Sequence, residues 1–144
     1  MAVTFWGQVY LVRQDDADFP ARIFFHKQAE DECWKLYLES CSGLEHEIQQ
    51  EHLELTLVRH RCDYPVSIKA DDQIIIRMNV RTVTRTAVQL GFDHLKDSPS
   101  GRELVASCER DIVCFELRDG ASCRSPLPES LRHALAQEGS ESNL

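Results

Sequence analysis

The 144-residue sequence holds only six glycines, and no two of them stand in a Gly-x-Gly spacing. A phosphate-cradling backbone loop needs glycines that close together, so a nucleotide-binding loop of that kind is not expected. Basic charge is also scarce. Lys and Arg number 16 against 24 Asp and Glu, a net charge of −8. Neutralising a nucleic-acid backbone takes clustered cations, so no nucleic-acid partner is expected. No apolar run exceeds four residues, which excludes a bilayer-spanning helix and leaves no membrane partner to expect. The opening MAVTFWGQVY lacks the basic region and apolar core of an export signal, so a cytoplasmic location is expected. The six cysteines, at 33, 41, 62, 108, 114 and 123, contain no CxxC pair. All are expected as reduced thiols, and Cys62, Cys108 and Cys114 fall in apolar-alternating runs where Cys serves as a small core residue.

What is present reads as one domain, residues 1–137, followed by a disordered tail at 138–144 (EGSESNL), small, polar and acidic. Residues 3–13 alternate aromatic and β-branched positions at period two and predict a strand. An acidic loop follows at 14–20. Residues 25–40 predict the long helix: Phe25, Ala29, Cys33, Trp34, Leu36 and Tyr37 recur at three- and four-residue steps, with Lys27, Glu30, Asp31, Lys35 and Glu39 on the other face. A short helix over 44–52 is left open. Strands are predicted at 53–63, 73–83, 87–95 and 103–117, and a short helix at 129–137 after Pro126 and Pro128. One helix cannot cover both faces of a five-stranded sheet. The expected solution is an α+β domain whose antiparallel sheet wraps around the long helix and buries an edge against a second copy, as a homo-oligomer.

Four motifs along this pattern resemble one family in order. They are the loop and helix start from Val12-Arg13 through Asp16-Ala17-Asp18 to Ile23-Phe24-Phe25; the stretch Asp63-Tyr64-Pro65-Val66-Ser67-Ile68-Lys69-Ala70-Asp71-Asp72; the turn Thr84-Arg85-Thr86; and Val113-Cys114-Phe115 through Pro126-Leu127-Pro128-Glu129. Together they resemble the hot-dog-fold acyl-CoA thioesterases of the 4-hydroxybenzoyl-CoA thioesterase type, over about residues 3 to 135. Resemblance to the 1,4-dihydroxy-2-naphthoyl-CoA hydrolases enters through Gln8-Val9-Tyr10-Leu11 and the closing strand. Ala21 stands where the family has its loop glycine, and Ser67 and Asp71 stand where it has Pro and Gly.

The resemblance implies hydrolysis of an acyl-CoA, with an aromatic acyl group among the expected substrates, and a dimer or tetramer of hot-dog subunits. It implies that Asp18 is the nucleophile or the general base, with Asp15 and Asp16 as fallbacks, and that the Phe25 backbone N–H binds the oxyanion. A helix N-terminus suits that task because its N–H groups are unpaired and sit at the positive end of the dipole. Ile23 and Phe24 would line the acyl slot, and His26 would contact substrate or serve as acid and base. Without the resemblance, the same aspartates read as a solvated acidic turn that stabilises the helix behind it.

Charge distribution points the same way. From Glu30 to Glu54 there are eight acids and one Lys, whereas Arg59, Arg61, Lys69, Arg77, Arg81 and Arg85 gather farther on. Lys69, Arg85 and Thr86, at bends, are the expected phosphate contacts of CoA; Arg77 and Arg81 read as a solvent-facing strand side. His60-Arg61-Cys62 puts two metal-ligand types on one face, but no second close pair completes a site, so no metal and no cofactor beyond the substrate's CoA is expected. Two other functions compete: a thioesterase or dehydratase for carrier-protein-bound acyl chains, against which the acidic charge counts, and a non-catalytic hot-dog protein that binds an acyl ligand.

Overall fold

A computed structural model describes the backbone at residues 4–12 and 21–142, and side chains at Val12 and 23–137. Strand β1 (Thr4–Leu11) leads to helices α1 (Ala21–Ser40) and α2 (Leu44–Glu51). Strands β2 (Leu53–Asp63), β3 (Gln73–Val83), β4 (Ala87–Ser98), β5 (Gly101–Arg118) and β6 (Ala121–Arg124) follow, and α3 (Glu129–Ser142) closes the chain. The sheet is antiparallel and open, in the order β1-β3-β4-β5-β2, with β6 added beside β5. Helix α1 packs against β3 and β1, and α3 against β3 and α2. This is the expected antiparallel sheet with a long helix laid on it. No helix among the described residues is long and apolar enough to cross a membrane.

Alternation decides which side of each strand is covered. Ile74, Ile76, Met78 and Val80 of β3 and Val88, Leu90 and Phe92 of β4 are buried at period two. They join Phe25, Ala29, Cys33 and Tyr37 of α1 and Leu131 and Leu135 of α3 in one core. On the opposite sheet face, Arg81 lies across Gly91 to reach Glu109 at 3.1 Å, and Arg61 meets the same carboxylate at 2.8 Å. A Cβ on Gly91 would stand 2.4 Å from the Arg81 Nε, so glycine here is a space requirement.

Three expectations meet a different structure. Helix α3, predicted over 129–137, runs on to Ser142, and residues 143 and 144 lie outside the described residues. Helix α1 begins at Ala21, four residues before the apolar periodicity does. Ile23 is half-buried and Phe24 is exposed, so its first turn carries no apolar stripe to read. Finally, Cys62 and Cys108 form a disulfide. They are directly opposed on β2 and β5 with Cα atoms 4.1 Å apart, a proximity that register creates and sequence spacing conceals. Cys33, Cys41, Cys114 and Cys123 are free.

Candidate functional site

Beneath the first half of α1 the core turns polar. His26, Glu30, Cys33 and Tyr37 lie at i, i+4, i+7 and i+11, one stripe of a helix, and all four are buried. Glu30 is therefore not on the solvent face predicted for it. Three strands present side chains to this stripe: His94 on β4, Cys108 and Arg110 on β5, and His60 and Cys62 on β2. The register pairs Cys62 with Cys108 and His60 with Arg110.

The Glu30 carboxylate is the hub. Its Oε1 accepts from Arg110 Nε at 2.9 Å and lies 3.1 Å from His60 Nε2. Its Oε2 lies 2.5 Å from His94 Nε2. Arg110, only 3% exposed, also donates to Asp31 Oδ1 at 2.5 Å and to the Lys27 carbonyl at 3.1 Å, and its guanidinium stands 5.6 Å from the Phe92 ring centre. Desolvation pushes the Glu30 pKa up, but the His60 and His94 hydrogen bonds and the His94 and Arg110 charges outweigh it and hold the group at about 2. Glu30 is thus a carboxylate, and His94 donates to it through Nε2. The other His94 nitrogen, Nδ1, lies 2.8 Å from His26 Nδ1, close enough for the two rings to share a proton. The result is a carboxylate–imidazole–imidazole chain that includes His26, whose ring packs against Tyr64 at 5.2 Å between centres.

Such a chain can fix the tautomer of His26 and pass a proton along it. No thiol in it competes. Burial, followed by the Glu30 charge, pushes Cys33 up to about 12, so it is neutral and not nucleophilic. The same two causes raise Tyr64.

The expected site residues are divided by the structure. Asp15, Asp16 and Asp18 lie outside the described residues. Phe25 is the fifth residue of α1. It lies one turn into the helix, behind the N–H groups of the first turn. Lys69 is exposed, on the segment that pairs with Val12 through the Val12 N–H to the Asp72 carbonyl and the Asp71 N–H to the Val12 carbonyl, both at 2.9 Å. It therefore sits where the chain enters the acidic loop. Arg85 and Thr86 occupy the β3–β4 turn. His94 lies eight positions beyond Thr86, on the order of 25 Å of strand, so one chain does not bring Arg85 and Thr86 to the start of α1. They lie instead beside β6, where Thr86 Oγ1 accepts from Arg124 Nε at 3.0 Å.

Sequence reasoning missed Glu30, His94 and Arg110. The signal was present in each: a charged residue or histidine in the core phase of its element, as with His94 after Leu90 and Phe92, and Arg110 between Cys108 and Ile112. An apolar groove of about 860 Å³ lies elsewhere, between α1 and α2, lined by Trp34, Leu38, Cys41, Ile48 and Leu55.

No family profile matches the sequence, and no curated protein matches it. Solved structures do match. The dynemicin thioesterase superposes with a TM-score of 0.78 at 18% identity, covering 92% of this chain and 96% of that one. The 4-hydroxybenzoyl-CoA thioesterase from Pseudomonas sp. strain CBS-3 gives 0.71 at 14%, covering 88% and 96%. A 1,4-dihydroxy-2-naphthoyl-CoA thioesterase from Synechocystis gives 0.69 at 18%, covering 91% and 95%. These likenesses, over nearly the whole of each chain, establish the fold: it is the hot-dog fold of those thioesterases.

Proposed function

We propose that the protein is an acyl-CoA thioesterase that hydrolyses an aromatic acyl-CoA to the free acid and CoA. The observation that carries this reading is the near-full-length likeness to structures named as thioesterases of aromatic CoA esters. The start of α1 supports it chemically. A backbone N–H at the start of α1, that of Phe25 or of the residues just before it, would donate to the thioester carbonyl oxygen, where negative charge develops. Asp18, five residues before Ile23, would take the proton of an attacking water or attack the carbonyl itself. In the water route the C–O bond forms, the tetrahedral oxyanion collapses, the C–S bond breaks and CoA leaves as thiolate. His26, oriented through His94 by Glu30, would hold the acyl group's polar end or relay the released proton.

Lys69 would bind a CoA phosphate at this end of the sheet. Arg85 and Thr86 would do so from a second copy, since they are remote within one chain. Strand β2, with Leu57 and Val58 exposed, pairs only with β5 among the described residues, and its other edge is the one that a homodimer would cover. Exposed Phe24 and half-buried Ile23 would then gain a partner wall and form the acyl slot. A cytoplasmic setting goes with a CoA substrate.

The test is a substrate panel of aromatic and aliphatic acyl-CoAs beside the same acyl groups on a carrier protein. Preferential hydrolysis of an aromatic acyl-CoA supports the reading. Turnover confined to carrier-bound substrates, or ligand binding without turnover, contradicts it.

A further inference from the structure

The Cys62–Cys108 disulfide does not stand alone. His60, two residues before Cys62, shares its strand face, and His60 Nε2 lies 3.0 Å from Cys62 Sγ and 3.1 Å from Glu30 Oε1. One donor atom from each of Glu30, His60, Cys62 and Cys108 lies within 4.8 Å of all the others. We propose that these four residues form a zinc site that is closed while Cys62 and Cys108 are disulfide-bonded and opens when the pair is reduced.

The donor set is complete for the metal. Two thiolates, an imidazole and a carboxylate make a four-coordinate site, and the soft sulfurs select zinc over magnesium or calcium. With metal–sulfur distances of roughly 2.3 Å and metal–nitrogen or –oxygen distances of roughly 2.0 Å, tetrahedral donors stand about 3.3–3.8 Å apart. The His60–Glu30 and His60–Cys62 separations are already within a few tenths of an ångström of that. The two sulfurs are held together only by their own bond, and they reach the required spacing by parting once it is broken.

Charge closes as well. In the oxidised form the buried Glu30 carboxylate faces the buried Arg110 guanidinium, and the two cancel. Reduction by a dithiol transfers two electrons and two protons, giving two thiols and the cyclic disulfide of the reductant. Zinc uptake then displaces both thiol protons, so two positive charges enter and two protons leave, and the buried region gains no net charge. Second contacts are in place too. His94 holds the other Glu30 oxygen, and Arg110 keeps the Asp31 and Lys27 contacts if zinc displaces it from Oε1. Entry is from the β2 edge, where the His60 side chain is 22% exposed. The hydrolase reading does not use these sulfurs, so either proposal stands without the other.

The experiment uses the full-length protein, reduced with a phosphine, freed of reagent without air, and titrated with Co2+ and then Zn2+. We expect one equivalent of Co2+ per chain, with thiolate-to-cobalt charge-transfer absorption and the visible bands of a tetrahedral ion, both bleached by Zn2+. The oxidised protein should show neither. Cys62→Ser and Cys108→Ser should each remove the charge-transfer band, and His60→Ala should weaken binding at least tenfold. The oxidised–reduced comparison needs no variant and keeps the test decisive if a variant fails to fold. Three results overturn the proposal: a disulfide that resists reduction in the folded protein, reduced protein that takes up no Co2+, or the same absorption in Cys62→Ser.

Discussion

Replacing Glu30 with Ala should destabilise the protein by about 3–5 kcal/mol, the cost of breaking a buried ion pair from one side. The structure supplies the terms. The lost carboxylate accepts from Arg110 and His94 and meets His60, and Glu30, His94 and Arg110 are all essentially buried. Each buried donor left without its acceptor would cost about 1–3 kcal/mol alone, but the three share one hub and their costs do not add. Arg110 retains Asp31 and the Lys27 carbonyl, which limits the loss. Glu30→Gln keeps the shape and one acceptor oxygen, and should cost about 1–3 kcal/mol. The assay is urea unfolding at neutral pH, with the disulfide intact in every variant. Pairing Glu30→Ala with Arg110→Leu should cost less than the sum of the single changes, because the second removes the stranded charge. A Glu30→Ala protein within about 1 kcal/mol of the parent, or strictly additive double-variant costs, would refute the hub.

Glu47, on α2, accepts from the Glu129 N–H at 2.6 Å and the Ser130 N–H at 3.0 Å, and also from the Ser130 hydroxyl, so it caps α3 from outside. Glu47→Ala should cost about 0.5–2 kcal/mol and fray α3, read as a loss of helical circular dichroism. Desolvation raises the Glu47 pKa, but the hydrogen bonds together outweigh it and the net shift is downward. Its contribution is therefore present above the ordinary carboxylate pKa and lost as pH falls through the depressed value, so the parent's lead over Glu47→Ala should shrink on acidification; a constant difference from pH 7 to the acid limb would contradict the cap. Gly91→Ala should cost about 1–3 kcal/mol in thermal or urea unfolding by evicting Arg81, and a neutral effect would mean that Arg81 does not lie across Gly91. Arg85→Ala should raise KM for the CoA substrate several-fold with kcat held, and an unchanged KM would remove Arg85 from the CoA site.

Much of the fold was legible because period-two alternation marks covered sheet faces. Strands β2 and β3 fall on the predicted residues, 53–63 and 73–83, and the short helix left open at 44–52 is present over 44–51. Strands β4 and β5 run to 98 and start at 101, so the Ser98-Pro99-Ser100-Gly101 turn is tighter than the alternation alone suggested. Strand β6 was not foreseen: Ala-Ser-Cys-Arg is exposed and carries no alternation, and it forms because β5 extends past β4 and offers free ladder groups. The polar hub was hidden for a different reason. Glu30 counted as one more acid on a charged helix, though its spacing from His26 and Cys33 placed it on the buried stripe. Even so, that phase cannot say which strands bring it His60, His94 and Arg110, because those meetings depend on the β2–β5 and β4–β5 registers.

The most direct measurement is single-turnover hydrolysis of an aromatic acyl-CoA by the parent protein and by Asp18→Asn. The account predicts release of free acid and CoA by the parent, and a fall of about 100-fold or more for Asp18→Asn with substrate affinity and unfolding midpoint retained. Equal rates for the two proteins, or no release by the parent, would contradict it.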